Sequence, residues 1–389
     1  MTTSKKLTDI ITYIAIILFS LGFIFFGHRI TSSGQDQEVA GDLYKAKVLS
    51  IESIETEEFS FDDISYAENK IIRFKAEITS GPSKGEIVEV VQNLSSMYAI
   101  QPVEIQEGHK VLISYMGDEV YGDQWVFVEF NRSDTLAWLA VIFLLLILLL
   151  GRSKGISTII SLIFTVLAIF LVFVPSILKG YNIYLSSTIV TIYIIFMSLL
   201  IINGPSKKTL CAIIGNIGGV AIAALVAIIM SKILNLTGFI DEDYVFLNYL
   251  ELDKPIDLVA IIWSGILIGS LGAVMDVAMS IASAMNELAE NMDKKTFSRL
   301  LRSGMNIGRD AIGTMTNTLI LAYVGGSLAT VLLLIAYNRN LLYLFSLEMI
   351  VVEVLQAIVG SMGILFAVPV TAIFSAYIFT RDTRESGLE

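Results

Sequence analysis

The chain has 389 residues, of which 55% are hydrophobic and only 16% are charged, and its mean hydropathy is +0.73. Soluble globular proteins carry about 25% charged residues, so this composition excludes that class and indicates a polytopic membrane protein. The net charge of −11 argues against nucleic-acid binding, and the single cysteine, Cys211, excludes an internal disulfide.

The first predicted element is an apolar run from Ile10 to Phe26, preceded by Lys5 and Lys6. The run is long enough to cross a bilayer, and it ends Phe-Phe-Gly-His-Arg without the small-residue cleavage site of a signal peptide. We therefore expect residues 1–28 to form a cytoplasmic tail and a retained anchor helix.

Residues 29–133 are predicted to form a small β domain. Between Thr31 and Asp134 there are 20 acidic and 8 basic residues, so the segment carries a net charge of −12. Strand-like patterns cover Tyr44–Ser53, Ile71–Thr79, Glu86–Leu94, Lys110–Met116 and Gln124–Phe130. Five or six short strands in about 100 residues predict a barrel, OB-like or SH3-like, for structural or protein-contact use rather than for binding nucleic acid.

Residues 134–380 are predicted to form a seven-helix membrane core. Its expected spans are Leu136–Leu150, Ile156–Val174, Tyr184–Ile202, Leu210–Met230, Leu258–Val277, Gly313–Tyr337 and Gly360–Phe379. With the anchor helix, this gives an all-α polytopic membrane protein of about eight transmembrane helices, with the β domain inserted after the first.

Basic residues predict the orientation, because cytoplasmic loops are rich in lysine and arginine. The basic positions that fall on one side are Lys5/Lys6, Arg152/Lys154, Lys207/Lys208, the loop Lys294–Arg309, and Arg381/Arg384. Both termini, including the tail 381–389, are thus expected in the cytoplasm and the β domain outside the cell.

Two stretches do not fit plain spans. Residues 294–305 place Phe297, Leu300 and Met305 on one helical stripe, which predicts an amphipathic helix on the cytoplasmic headgroups. Residues 341–359 are apolar but contain Glu348 and Glu353, so we expect an outer interfacial helix, with a re-entrant segment as the alternative.

Polar residues within the spans mark the candidate site. Asp276, Ser280 and Glu287 share one face of a helix, and such a stripe faces protein or water rather than lipid. A second set opens the following span, and its members are Asn306, Arg309, Asp310, Thr314 and Asn317. Their carboxylates, amides and hydroxyls suit protons, alkali cations or hard divalent cations, whereas the alternative is a structural lock in which Arg309 neutralises Asp276 or Asp310.

Other chemistry is weakly represented. No phosphate loop, nucleophile elbow or HExxH motif occurs, so a soluble-type hydrolase or ATPase is disfavoured and no cofactor is predicted. With two histidines and one cysteine no soft metal site is expected, and the sequence assigns no other metal. The secondary candidates are Glu287, Glu348, Glu353 and Asn216, the last within a glycine-rich packing segment.

Four segments resemble the YibE/F-like family of bacterial membrane proteins: residues 272–281, Asn286-Glu287, residues 304–310 and residues 313–323. The anchor helix and β domain before the core are similar to the YibE-type member, and we expect the resemblance to cover essentially the whole chain. It implies a bacterial cell membrane protein in the lipid bilayer, working beside a shorter YibF-type partner or as a homo-oligomer. It implies no particular chemistry.

Three functions are compatible with these residues. The first is a gradient-driven transporter or permease for an ion or small solute, because charged residues lie within spans and no ATP motif is present. The second is a membrane scaffold or assembly factor whose outer β domain docks a partner. The third is a membrane-embedded enzyme acting on lipid-linked substrates, which only the paired acids favour; otherwise no enzymatic activity is expected.

Overall fold

The computed structural model describes residues 3–32, 42–62, 65–95, 103–118, 122–250, 252, 254–292, 295–337 and 340–386. The chain forms two compact units. One comprises residues 34–146, and the other comprises residues 1–33 together with residues 147–389.

The first unit contains a closed five-stranded barrel. Its strands are β1 (Leu43–Asp62), β2 (Ser65–Ile78), β3 (Ile87–Ser95), β4 (Lys110–Asp118) and β5 (Gly122–Phe130). Their order around the barrel is β1-β2-β3-β5-β4, and β4 pairs back with β1. Neighbours are antiparallel except β3 and β5, which are parallel. The predicted small β-barrel is confirmed.

The turn between β2 and β3 shows why the hairpin forms where the sequence predicts it. Gly81 and Gly85 have φ values of 80° and 93°, which residues with a side chain adopt only at a cost. The Gly85 amide donates to the Ile78 carbonyl at 2.8 Å, and the Ile78 amide donates to the Glu86 carbonyl at 2.9 Å. The predicted hairpin is therefore present.

Strand alternation separates the interior of the barrel from its surface. Phe74, Ile78, Val90 and Ile113 are fully buried and fill the interior. Residues between them point outward, and Lys75 forms an ion pair there with Glu52. The barrel is thus a packed core with a charged exterior.

The two ends of the barrel lie side by side. Near its beginning, β1 pairs Lys47 with Lys110 of β4. Just after β5, the Asn131 amide donates to the Lys110 carbonyl at 2.9 Å. An ion pair of 2.6 Å between Lys45 and Asp134 joins the same two stretches.

The remaining elements are helical. They are α1 (Thr3–Thr31), α2 (Ser133–Ala168), a π-helical stretch (Ile169–Phe173), α3 (Val174–Leu178), α4 (Ile183–Asn203), α5 (Lys207–Ile233), α6 (Glu242–Asn248), α7 (Leu258–Asn291), α8 (Phe297–Gly326), α9 (Leu328–Tyr337), α10 (Leu341–Leu344) and α11 (Glu348–Ser386). In the described residues, six spans are long and apolar enough to cross a membrane, and α8 and α9 meet the same criterion only as a pair, bent by 61°. The chain is a multi-pass membrane protein.

The expected eight spans differ from this number at α2. Arg152, inside α2, has φ 49° and ψ −127°, and Gly155 lies against the carbonyl of Ile147. A straight helix would hold residues 147 and 155 about 12 Å apart, so the chain reverses at Arg152. The predicted spans Leu136–Leu150 and Ile156–Val174 fall on either side of this reversal, and the number eight stays a prediction.

Residues 297–305 are helical, as expected for the amphipathic helix predicted over residues 294–305, but they do not form a separate element. From Phe297 onward these residues are the first turns of α8, while Lys294 lies outside the described residues. Leu300 is fully buried, and Met305 packs against the core of the helical unit. Leu300 and Met305 therefore pack on protein, whereas Phe297 is exposed.

The structure also corrects the prediction for residues 341–359. Only the short α10 stands apart, and from Glu348 these residues belong to the continuous helix α11. Residues Glu348 and Glu353 thus lie in the first turns of a long helix, rather than on an interfacial helix or a re-entrant segment.

Helix α7 lies at the centre of the helical unit, where it contacts α4, α5, α8 and α11. Its inner residues Ile266, Val274 and Ile281 are fully buried. Close approach of α5 to α11 depends on glycine, because a Cβ on Gly219 would lie 2.5 Å from the Gly363 carbonyl oxygen.

Candidate functional site

The candidate residues of α7 lie on the outer surface of the protomer. All residues of α7 are described, and no large apolar side chain among them is exposed. Those that are exposed are glycine or polar: Gly265, Gly269, Gly272, Asp276, Ser280, Glu287, Glu290 and Asn291. From Gly265 to Ser280 they are three to four residues apart, and Glu287 follows seven residues later, so these six residues lie on one stripe of the helix.

Helix α8 continues the same surface. Its buried residues Leu300, Gly304 and Gly308 face the core, against α7 and α11. Between Arg302 and Thr318 the exposed residues are Arg302, Asn306, Arg309, Asp310, Gly313, Thr314, Asn317 and Thr318. We call the exposed residues of α7 from Gly265 to Glu287 and of α8 from Arg302 to Thr318 the α7–α8 polar face.

Other membrane helices expose a different surface. Helix α4 exposes Leu185, Ile189 and Phe196, and α5 exposes Leu225 and Ile229. Large apolar side chains are what a helix presents to lipid, because hydrocarbon provides no partners for polar groups. The α7–α8 polar face is thus unlike the lipid-facing surfaces of the same protomer.

Close contacts fix the relative depth of residues on α7 and α8. A Cβ on Gly308 would lie 3.3 Å from Ile281 Cδ1, and one on Gly304 would lie 3.0 Å from Met285 Cε. The helices are therefore antiparallel, and equal steps along them reach equal depths. Asp276 is level with Gly313, and by the same register Ser280 is level with Arg309 and Glu287 with Arg302.

The expected ion pair of Arg309 with Asp276 or Asp310 is not formed among the described residues. Instead, Arg309 Nη1 donates a hydrogen bond to Asn306 Oδ1 at 3.3 Å. The Thr314 hydroxyl donates to the Ala311 carbonyl of its own helix at 3.1 Å. The face therefore holds two acids and a base within about one helical turn of depth, without an ion pair among them inside the protomer.

Glu348 lies outside this face and holds a loop. Its carboxylate accepts hydrogen bonds from the Thr237 amide at 2.7 Å, the Thr237 hydroxyl at 2.7 Å and the Gly238 amide at 2.6 Å. These contacts join the loop after α5 to the first turn of α11. The role of this candidate in the structure is to connect two elements.

Glu353 and Asn216 lie apart from the face and from each other. Glu353 is half-buried near Tyr244 of α6, where burial raises the pKa of the tyrosine and the carboxylates of Asp241 and Glu353 add to the shift. Asn216 is fully buried in α5, and neither its amide nitrogen nor its amide oxygen has a hydrogen-bond partner.

The sequence analysis missed the glycines of this surface and one tyrosine. Gly265, Gly269 and Gly272 extend the stripe of Asp276, and a Cβ on Gly269 would lie 2.6 Å from the buried Tyr323 hydroxyl. The regular spacing from Gly265 to Ser280 was a signal that could have found the glycines. The position of Tyr323 depends on helix packing, which the sequence pattern does not contain.

Among the described residues, no group of three or more histidine, cysteine, aspartate or glutamate side chains could hold a metal ion. The polar face instead offers isolated oxygen groups: the carboxylates of Asp276 and Asp310 and the amides of Asn306 and Asn317. Such groups suit a proton or a weakly held hard cation better than a tightly bound metal.

Comparison with known proteins identifies the family. A protein family described as YibE/F-like protein matches residues 139–381 of the chain. No curated protein and no solved structure matches the chain. The match begins inside α2, so it does not cover α1 and the barrel as the resemblance led us to expect. Because the match covers more than half of the residues, the chain belongs to the YibE/F-like protein family.

Proposed function

We propose that the protein is a gradient-driven permease for an ion or small solute, and that the α7–α8 polar face carries the transported species. The observation that supports this most is the presence of Asp276, Arg309 and Asp310 at similar depths on two adjacent membrane helices. Ionisable groups within spans are costly, about 2.5–3.5 kcal/mol each at a helix centre, and their usual role is in ion or substrate pathways.

The chemistry of the face assigns a part to each residue. Asp276 and Asp310 carry the coupling proton or cation, because carboxylates can both bind a proton and neutralise a cation. Arg309 is the counter-charge that replaces the ion when the site empties, and it moves readily because one hydrogen bond to Asn306 holds it. Ser280, Asn306, Thr314 and Asn317 supply neutral oxygen ligands.

Flux measurements test this function. Purified protein in proteoliposomes is screened for uptake of protons, alkali cations and small metabolites, with Asp276→Asn and Asp310→Asn as the test variants. Each amide keeps the size of its carboxyl group but cannot carry a proton or balance a cation, so flux should fall at least tenfold while folding is retained. Glu242→Gln, on α6 outside the face, is the matched control. Absence of flux from folded wild-type protein would remove the proposal.

The proposed location is a bacterial cell membrane, with both termini in the cytoplasm and the barrel outside. The distribution of lysine and arginine supports this orientation. Reporter fusions at Ser60 and Glu119 should report an extracytoplasmic position, and fusions at Lys207, Lys295 and Glu389 a cytoplasmic one. A cytoplasmic signal from the barrel would invert the whole arrangement.

A scaffold or assembly function is the second candidate, and the barrel favours it. Apolar side chains fill the interior, so the barrel offers its outer surface rather than an internal cavity to a ligand. The strand order supports an OB-like over an SH3-like barrel, and its position after α1 supports a YibE-type assignment. Deleting residues 34–130 should abolish a scaffold's function, whereas Asp276→Asn should leave it intact.

A further inference from the structure

We propose that a second copy of this chain covers the α7–α8 polar face, with the two copies related by a two-fold axis along the membrane normal. The inference concerns what lies against the face. It applies to a permease and to a scaffold alike, and it does not depend on which species, if any, is transported.

The first step is that lipid does not cover this face. Asp276 is exposed on α7, which is long and apolar enough to span the membrane. Arg302, Arg309 and Asp310 are exposed on α8, which meets the same criterion together with α9. Hydrocarbon cannot supply partners to charged groups, and among the described residues none of these four forms an ion pair within the protomer. Water or a protein surface with polar groups of its own therefore lies against them.

The second step is that the surface admits another helix at short distance. A Cβ built on Gly265, Gly272 or Gly313 would meet no atom within 4 Å, so the space above these glycines is open. Elsewhere in the unit, glycines such as Gly219 are filled by a neighbouring helix. Small residues on an exposed stripe let two helix backbones approach closely, which is how membrane helices associate.

The third step identifies the partner as the same chain. Two copies inserted in the same orientation can form a closed pair only about an axis normal to the membrane, so residues meet residues of their own depth. Arg309 and Asp310 are neighbours in depth, and Asp276 lies about one turn away. Each Arg309 therefore faces Asp310 and Asp276 of the second copy, and the same pairing repeats across the axis.

Glycine substitutions give the first test. Gly272→Leu and Gly313→Leu have open space within the protomer, so each variant should fold, but the added side chain would separate the two copies. Gly22→Leu in α1, where a Cβ also meets nothing within 4 Å, is the matched control. Oligomeric state is measured by single-molecule photobleaching in dilute proteoliposomes, with fluorescent label at the C-terminus.

We expect wild-type protein and Gly22→Leu to be dimeric, and each face variant to dimerise about tenfold more weakly or worse, since each change occurs twice in the interface. A monomeric wild type at all protein-to-lipid ratios would overturn the proposal. So would a dimer that Gly272→Leu and Gly313→Leu leave unchanged. A wild type that is monomeric alone but pairs with a different membrane protein through this face would also overturn it.

Charge exchange gives the second test. Arg309→Asp and Asp310→Arg should each weaken the dimer, because like charges then meet across the axis. The double variant restores opposite charges at the same depth and should regain most of the wild-type dimer fraction. Failure of the double variant to exceed both single variants would contradict the pairing. If the single variants do not fold, the glycine series still decides.

These results are separable from those of the flux assay. A dimer without flux would contradict the permease proposal and leave the dimer proposal intact. Flux from protein that photobleaches as a monomer would contradict the dimer proposal and leave the permease proposal intact.

Discussion

Buried polar side chains in the helical unit differ in whether they have partners. The Ser161 hydroxyl donates to the Ser198 hydroxyl at 2.9 Å, and both residues are buried. Asn216 is equally buried, but both atoms of its amide lack a partner. A buried polar group without a hydrogen bond destabilises the fold. Where two buried polar groups are bonded to each other, removing one of them leaves the other buried and unpaired. The two sites should therefore respond in opposite ways to apolar substitution.

Replacing Asn216 with leucine should raise the free energy of unfolding by about 1 kcal/mol, because an unpaired amide gives way to an apolar group of similar size. Ser198→Ala should lower it by about 1 kcal/mol, because Ser161 loses its partner. Thermal unfolding of the purified variants in detergent measures both changes. A loss of stability in Asn216→Leu would show that the amide has a partner in the membrane, such as water.

The Glu348 carboxylate accepts three hydrogen bonds from the loop that follows α5. Glu348→Ala removes three acceptor contacts to Thr237 and Gly238 at once. Hydrogen bonds to a charged group contribute about 1.5–3 kcal/mol, so the variant should lose about 2 kcal/mol of stability. Proteolysis of the loop near residue 237 should also be faster in this variant. Glu242→Ala, on an exposed position of α6, should change neither measurement.

Between elements, α5 and α11 approach each other closely at Gly219. A Cβ on Gly219 would meet the Gly363 carbonyl at 2.5 Å and Ala367 Cβ at 2.8 Å, and neither is the far end of a flexible side chain. Packing at this distance places the central α7 against both helices through Val274. The position of the polar residues on α7 thus depends on a contact on its opposite side.

Gly219→Ala should destabilise the protein by about 1–3 kcal/mol, because backbone must move to admit the methyl group. The same substitution at Gly22 should be neutral or slightly stabilising, since alanine is the better helix former and the space is open. Thermal unfolding distinguishes the two. Equal behaviour of both variants would mean that the space between Gly219 and the Gly363 carbonyl admits a methyl group.

At the scale of the whole molecule, the sequence predicts those structural features that depend on local residue patterns. Strands follow from alternation, and the hairpin follows from Gly81 and Gly85, because only glycine adopts positive φ freely. The stripe shared by Asp276 and Ser280 follows from helical periodicity, and the structure places both on one exposed surface. That they face outward from the protomer was not predictable, because periodicity shows which residues share a face but not what covers it.

One departure from the sequence prediction has a clear physical origin. The stripe of Leu300 and Met305 has one pattern whether it meets headgroups or protein, so the beginning of α8 was misassigned as a separate helix. The break at Arg152, by contrast, agrees with the sequence, because Arg152 and Lys154 interrupt the apolar run between the predicted spans Leu136–Leu150 and Ile156–Val174.

The barrel should fold without the helices. Its interior is filled by its own side chains, and its strands close on themselves without an unpaired edge. A fragment of residues 42–132 should therefore be water-soluble and show one cooperative unfolding transition by circular dichroism. Phe74→Ala in this fragment should cost about 3–5 kcal/mol, because the side chain is fully buried. An unfolded wild-type fragment would show that the barrel requires the rest of the chain.

The chain enters the barrel at β1 and leaves it after β5, and both ends lie beside Lys110 of β4. The two ends are therefore within hydrogen-bonding distance of the same strand. A domain whose two ends lie this close together is a cassette, meaning a unit that can be inserted or removed as a whole. It can be gained, lost or exchanged between two helices by a single insertion event, with no change of register in the sequence on either side. The family match that starts at residue 139 leaves this cassette out. A foreign domain with equally close termini should be accepted at the same position, which makes it a natural graft point for a soluble reporter.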